Sequence, residues 1–461
     1  MATITIQNGR VIDPLNNIDE TNDVVIHDGV IKKIGKEASP ATGPDCMTID
    51  AGGCIVAPGF IDVHVHFREP GQEEKETIAT GSAAAVSGGF TTVCCMPNTQ
   101  PTLDDDVQID FVYQQAKRAN LANVFPVGAA TKGRLGNDLA EMGLMNRAGA
   151  VAFSDDGCAV ADPSVMNKVL QQSVMLNKVF MQHCEDPSLG GGAMNAGLTA
   201  TRLGLGGWPR VAEDLIIQRD ILLNKYMGFK ARWHAQHMSS AGGIDMIRQA
   251  RKHTDNITGE ASPHHLLLTD EDCGTYDTNY KMNPPLRGKE DIAAIIEGIV
   301  DGTITILATD HAPHTREEKE LEFAAAPYGI IGLENALPCY VKALIESGAI
   351  DWPHLLAMMT INSAQLVNLT NKGHLTPGAD GDVVIIDPEM TWTIDANKFA
   401  SKGRNCPFHG WDIKSQSIGT IVDGNLKLLR QPERLKSDAS SPVVADAQQL
   451  LEVHSSKYSR I

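Results

Sequence analysis

Between residues 59 and 311 the chain repeats one pattern: a short apolar run ending in polar residues, then a longer stretch with helical spacing. The apolar runs are "GFIDVHVHF" (59–67), "FTTVCCMPN" (90–98), "NVFPVGAAT" (123–131), "AVAFSDD" (150–156), "KVFMQHCED" (178–186), "ARWHAQHMS" (231–239), "NITGEASPH" (256–264) and "TITILATDH" (303–311). Spacers such as "EEKETIATGSAAAVSGG" (73–89), "SVMNKVLQQSVMLN" (164–177) and "AEDLIIQRDILLNKYMG" (212–228) read as helices. Most of the runs are too apolar to have a solvated face. Strands of that kind, each followed by a helix, imply a parallel sheet. Eight such units match the count of a (β/α)₈ barrel of TIM type.

The flanks have a different rhythm. Residues 1–56 and 376–430 hold short strand-and-turn pieces such as "ITIQNGRVID", "DVVIHDGVIKKIG", "GDVVIIDP" and "SIGTIVDGNLKLL". Each flank is too small to stand alone, so the expectation is one small β-sandwich domain built from both, with the barrel (57–375) inserted between them. Residues 431–461 form a polar tail. The ordinary reading of that tail is disorder, and the alternative is a short helix from Asp446.

In a parallel barrel the strand C-termini share one face, and chemistry sits there. The first run ends with His64 and His66, which point to the same side of a strand and can bind one ion together. The fourth supplies Asp155 and Asp156, the fifth His183, the sixth His237 and the eighth Asp310. Each residue has an ordinary explanation by itself. Asp310 can cap a helix, and His183 can be a buried, hydrogen-bonded histidine. Arg68 can pair with Glu69 or Glu73 at the surface, Asn98 can cap a turn, and His314 can be a plain loop residue. Metal-type ligands at five separate strand ends are a different matter. Four imidazoles with carboxylates suit Zn²⁺ first, with Mn²⁺, Fe²⁺ or Co²⁺ as alternatives. Six ligands exceed one tetrahedral ion and fit two ions sharing a bridge. His264 and His265 are neighbours, so on a strand they face opposite sides and at most one could reach the site. By the same rule Cys184 points away from His183.

The net charge is -18, with an estimated pI of about 5.2. That removes the basic footprint needed for nucleic acid or an anionic membrane, and an anionic substrate would need local arginine or lysine. No apolar run approaches the roughly 18 residues of a membrane helix. "MATITIQNGRVID" lacks the features of a signal peptide. Nine cysteines without a CxxC pair read as reduced, and the chain as cytoplasmic.

The motifs "PGFIDVHVHFREPG" (58–71), "MPNTQP" (96–101), "SDDG" (154–157), "HCED" (183–186), "NYKMNPPLRG" (279–288) and "ATDHAPHT" (308–315) resemble those of dihydroorotases of the amidohydrolase superfamily, from about residue 3 to about 430. The resemblance implies reversible hydrolysis of L-dihydroorotate to N-carbamoyl-L-aspartate in pyrimidine biosynthesis. It implies two Zn²⁺ ions, one held by His64, His66 and Asp310, the other by His183 and His237. Asp156 and a hydroxide would bridge them, with Asp155 as the alternative carboxylate. Asp310 would be the catalytic acid–base. Arg68, Asn98 and His314 would hold the substrate carboxylate and Asn283 the ring, with Tyr328 and Gly329 at a further substrate position. Hydantoinases, dihydropyrimidinases and allantoinases carry a carboxylated lysine at the fourth strand; "GAVAFSDDG" has none, which resembles the bacterial-type branch. Two departures stand out: "HMSSAGG" where many relatives show His-Ile-Ser-Thr, and Tyr328 where many have Phe. The competing readings are another cyclic amidase of hydantoinase type and a non-catalytic dihydroorotase-like subunit. A homodimer is the default assembly, and association with aspartate transcarbamoylase is a further expectation.

Overall fold

The structure is a computed structural model that describes residues 3–36, 46–436, 444–446 and 448–451. Eight short parallel strands form the barrel: Phe60–Val65, Phe90–Cys95, Asn123–Gly128, Ala152–Ser154, Phe180–Gln182, Trp233–Ala235, Ile257–Ala261 and Ile306–Leu307. They pair in chain order, and a parallel bridge between Val65 and His311 joins the eighth segment back to the first. The (β/α)₈ expectation therefore holds, with strands shorter than the apolar runs that announced them. The polar residues ending each run have left the ladder and formed the mouth.

Helices Ile78–Gly88, Pro163–Leu176 and Val211–Tyr226 occupy the spacers read as helical. Thr77 and Asp162 cap the first two through their side chains, each occupying otherwise orphaned N–H groups. Phe60, Phe90, Phe153, Phe180 and Trp233 are buried in the large apolar cluster shared with the helices. Each buried Phe of this kind contributes about 1.5–3 kcal/mol. A second cluster holds Ile61, Val63, Val127, Met181 and Ile306 from the strands with Ala364, Leu366 and Val367.

The first strand breaks strict alternation. Ile61 and Val63 belong to the second cluster, but Val65 packs in the outer one. The register with the second strand shifts between Asp62 and Val65. Such an irregularity re-aims side chains, and it leaves His64 and His66 facing the mouth.

The flanks meet in one branched nine-stranded sheet with its own apolar cluster. Strand Thr3–Asp13 is its hub. It pairs antiparallel with Ile18–His27 on one edge, and on the other with both Cys46–Asp50 and Ile55–Pro58. The C-terminal flank joins where Val383–Thr393 lies antiparallel to Ile55–Pro58. That strand runs through Gly59 directly into the barrel. A Cβ at Gly59 would lie 2.2 Å from the Thr91 side chain, so only glycine fits this seam. The tail begins within the flanking sheet, where Leu435–Lys436 pairs antiparallel with Cys46–Asp50. Further on, 448–451 are helical, Leu450 is buried, and the Leu429 N–H donates to the Val444 carbonyl at 3.0 Å; residues 437–443, 447 and 452–461 lie outside the described residues.

Candidate active site

His64 is the penultimate residue of the first strand and His66 follows its end; Asp156, His183, His237 and Asp310 come within three residues of the ends of the fourth, fifth, sixth and eighth. All six are buried. Asp156 is central. Its Oδ1 lies 3.4 Å from His64 Nε2, 3.7 Å from His183 Nδ1 and 3.8 Å from His237 Nε2, while its Oδ2 lies 3.4 Å from His66 Nε2. Asp310 Oδ1 is 3.0 Å from His66 Nε2 and 3.5 Å from His64 Nε2. Two triads, His64–His66–Asp156 and Asp156–His183–His237, share Asp156.

These spacings fit a metal. Four donors held at 2.0–2.1 Å around a tetrahedral ion lie about 3.3 Å from one another. His64 Nε2 and Asp156 Oδ1 are also buried with no hydrogen-bond partner among the described residues. An ion that accepts lone pairs would satisfy both. The electrostatics agree. Burial works against charge, yet Asp310, Asp156 and Glu260 raise His64, and imidazoles in turn hold Asp156 and Asp310 well below the usual carboxylate range. The cluster draws positive charge inward.

Asp155, left open as the alternative bridge, turns away. It accepts from the backbone N–H groups of Ala130 and Thr131 at 2.9 and 3.0 Å and from the Thr131 hydroxyl. His264 and His265 are not on a strand: the seventh strand stops at Ala261, and both sit in the helical turn Pro263–Leu267. The opposite-face argument did not apply to them. Neither belongs to the metal-type clusters.

A cavity of about 270 Å³ opens over the cluster. Its walls include Arg68, Asn98, Asn283, His314 and Tyr328 beside five of the six cluster residues, with His64 buried beneath. Arg68 reaches it by a route the strand argument did not foresee. It lies beyond the strand, with a left-handed φ of 61°. His237 and Asp310 also have positive φ, 32° and 48°. Such non-glycine positions cost of order 1–3 kcal/mol and gather at functional sites. Arg68 is buried; Nε donates to the Pro313 carbonyl at 3.3 Å and Nη2 lies 3.5 Å from His314 Nε2. Burial pushes its guanidinium down to about 10, with Asp310 and Asp156 opposing. Glu69 and Glu73 are engaged elsewhere, by the N–H groups of Ile78 and Gly71.

Asn98 Oδ1 lies 2.8 Å from His66 Nδ1, which turns His66 Nε2 toward the cluster. Asn283 contacts His183 Nε2 at 3.1 Å through Nδ2 and has a buried Oδ1 with no partner among the described residues. His314 is tied to Glu318 and to the Tyr328 carbonyl at 3.1 and 2.8 Å; burial and Arg68 push it down to about 3, with Glu318 opposing. Gly329 stands behind the wall. Its N–H donates to the Lys281 carbonyl and its carbonyl accepts from Asn405, so neither faces the cavity. Its smallness is what matters, since a Cβ there would meet the His314 ring at 2.7 Å.

Sequence reading missed the layer beneath. Glu260, fully buried on the seventh strand, accepts from His64 Nδ1 at 2.7 Å, His234 Nε2 at 3.0 Å and the His237 N–H at 3.1 Å. Burial would raise its carboxyl, but His64 and His234 hold it at about 2. Such a partner fixes the tautomer of a ligating histidine. The available signal was a lone carboxylate in an apolar strand, "NITGEA". Asn405, from the C-terminal flank, accepts from the His314 N–H at 3.2 Å and donates to the Ala312 and Gly329 carbonyls at 2.9 Å each.

A family model described as dihydro-orotase-like matches residues 53–242. Among curated proteins, a dihydroorotase of Solibacter usitatus is 45% identical over 433 residues, covering 94% of this chain and 99% of that one. A dihydroorotase of Pelotomaculum thermopropionicum is 46% identical over 424 residues, covering 92% and 98%. Among solved structures, an L-hydantoinase (dihydropyrimidinase) from Arthrobacter aurescens superposes with a TM-score of 0.83 at 25% identity, over 97% of this chain and 98% of that one. A dihydropyrimidinase from Brevibacillus agri gives 0.80 at 21% identity, over 93% and 95%, and shows the fold alone. With six ligand-type residues converging in a parallel barrel and near-complete coverage at this identity, the chain belongs to the dihydroorotase family of metal-dependent cyclic amidohydrolases.

Proposed function

We propose that this protein opens and closes the ring of L-dihydroorotate, interconverting it with N-carbamoyl-L-aspartate. The observation that carries the reading is Arg68 in the wall of the cavity that holds the metal-type cluster. A guanidinium fork matches a carboxylate bidentately, and hydantoin and dihydrouracil have no carboxylate to offer. Arg68 Nη1 makes no hydrogen bond among the described residues, which leaves it for the substrate. The six ligand positions are all filled by competent side chains, which argues against a non-catalytic subunit.

In this reading His64, His66 and Asp310 would hold one Zn²⁺ and His183 and His237 the other, with Asp156 shared between the two sites. A divalent ion held by these residues would lower the pKa of water toward about 7 and polarise the amide carbonyl. The residues do the rest. Asp310 holds its carboxylate over the cavity, charged and acceptor-ready, and takes a proton from the attacking water. It returns that proton to the departing ring nitrogen; in the biosynthetic direction it removes the ureido proton. Arg68, with His314 beside it, binds the substrate carboxylate. The Asn283 Oδ1 is free to accept from the ring N–H. Asn98 orients His66 and turns its own amide nitrogen to the cavity. Gly329 keeps the space next to His314 clear, and Tyr328 closes one side. The chain's nine unpaired cysteines suit a reducing cytoplasm. Among the described residues no helix is long and apolar enough to cross a membrane. A homodimer, alone or with aspartate transcarbamoylase, completes the proposal.

The test is ring opening of L-dihydroorotate by purified protein, metal-stripped and zinc-restored, with dihydrouracil and hydantoin as controls. Zinc-dependent turnover of dihydroorotate alone is expected. Arg68→Met should raise KM for it by roughly 10–150-fold, the worth of a lost charged hydrogen bond of about 1.5–3 kcal/mol. Equal turnover of the uncharged controls would move the chain to the hydantoinase-type reading.

A further inference from the structure

The motif "NYKMNPPLRG" contains a lysine for which the reaction has no use. Lys281 is 2% exposed, and its ammonium donates to the carbonyls of Ala324 at 2.9 Å and Ala326 at 2.6 Å. It stands 4.5 Å from the centroid of the Tyr328 ring and 5.8 Å from that of Phe323. Lys319, at the end of the short helix Arg316–Lys319, is also buried. It donates to the carbonyls of Pro327 at 3.0 Å and Gly329 at 3.1 Å. Among the described residues neither ammonium makes an ion pair with a carboxylate. Burying a cation without a counter-ion is unfavourable unless its protons find acceptors. Here four carbonyls from residues 324–329 supply them.

That segment has neither helix nor strand to hold its shape. It carries Pro327 and Tyr328 into the cavity wall. Its far side is tied by the Tyr328 hydroxyl, which donates to the Gly192 carbonyl at 2.9 Å, and by Asn405 at Gly329. We propose that Lys281 and Lys319 are positioning residues, a pair of ammonium groups that clamp residues 324–329 in the shape that sets Tyr328 against the bound substrate. The substrate half of this inference rests on the dihydroorotate reading above; the clamp itself does not.

Burial pushes both ammonium groups down, Lys281 to about 8 and Lys319 to about 7. Lys281 adds to the effect on Lys319, while Asp277 and Glu318 oppose it; Lys281 itself is faced by the Phe323 and Tyr328 rings. Releasing the segment would return both lysines to water and take up protons, so the clamp should tighten as pH rises through this range.

The experiment compares Lys281→Met and Lys319→Met with wild type, all zinc-loaded and full-length. The expected result is KM for L-dihydroorotate raised about tenfold, kcat within about threefold, and unchanged zinc content. Amide protection over 324–331, corrected for intrinsic rates, should fall in both variants. Unchanged KM with unchanged protection overturns the clamp, as does a fall in kcat alone. If wild type does not open dihydroorotate, the functional reading has failed and protection alone decides the clamp. If the variants do not fold, wild type decides it: between about pH 6.5 and 8.5 the corrected protection over 324–331 should rise as Lys319 deprotonates, and flat or falling values overturn the proposal.

Discussion

At the barrel mouth, Asp156 and Asp310 sit among four imidazoles whose donor atoms converge within metal-binding distance. Near the end of the flanking sheet, Asp380, Asp382 and Asp423 bring their oxygens together just as closely. The two clusters differ in what fills them. Lys372 extends its ammonium into the second, 2.9 Å from Asp380, 2.7 Å from Asp382 and 3.7 Å from Asp423. The protein supplies that cation itself. In the first, His64 Nε2 and Asp156 Oδ1 are left without partners among the described residues. Convergent carboxylates therefore do not define a metal site; carboxylates and imidazoles whose demand the chain leaves unmet do. The same contrast separates a residue that anchors the fold from one that performs chemistry.

The largest effect that should sharpen this contrast is at Asp310. Asp310→Asn keeps the shape and removes the proton acceptor, so kcat should fall roughly 10²–10⁴-fold while zinc content, read by elemental analysis, stays near wild type. Near-normal turnover with metal bound would remove Asp310 from the reaction.

Lys372→Met should do the reverse: lose stability and leave kcat per folded molecule alone. Breaking a buried ion pair by removing one partner costs roughly 3–5 kcal/mol. The loss here should fall at or below the low end, because Asp380 and Asp423 are partly exposed. Burial raises the Asp382 carboxyl to about 6 although Lys372 opposes it. Asp382 is charged above that value and neutral below it. The deficit of the variant should therefore be full at neutral pH and shrink as pH falls through about 6, as read by denaturant unfolding. Lost activity at full stability would break the comparison.

The smallest effect is at Glu260. Glu260→Gln removes the charge behind His64 and His234, and zinc affinity should fall roughly 10–100-fold, measured by competition with a chelator. A variant with wild-type affinity would show that His64 needs no such partner.

Much of this was legible in the chain. The alternation of apolar runs and helical spacers gave the barrel, because strands buried on both faces leave a continuous apolar signature. Histidines and aspartates at the ends of those runs gave the ligand set, because parallel strands must bring their ends to one face. The choice between Asp155 and Asp156 was not legible, since adjacent residues differ only in how the chain turns after Ser154, and Thr131, in the loop after the third strand, holds Asp155 away from the mouth. Arg68 entered the cavity through a left-handed backbone rather than strand alternation. His264 and His265 were misplaced because the apolar run continues past the point where Pro263 starts a helical turn. Glu260 and Asn405 were invisible as site residues because their partners come from distant segments: His64 for the first, His314 and Gly329 for the second.

The most direct measurement is anomalous X-ray scattering at the zinc edge from crystals of the zinc-loaded protein. The account predicts two peaks at the mouth about 3.5–4 Å apart, one beside His64 and His66, the other beside His183 and His237, with Asp156 between them, and none at Asp380, Asp382 and Asp423. No peak at the mouth, or a peak in the cluster that Lys372 fills, would contradict it.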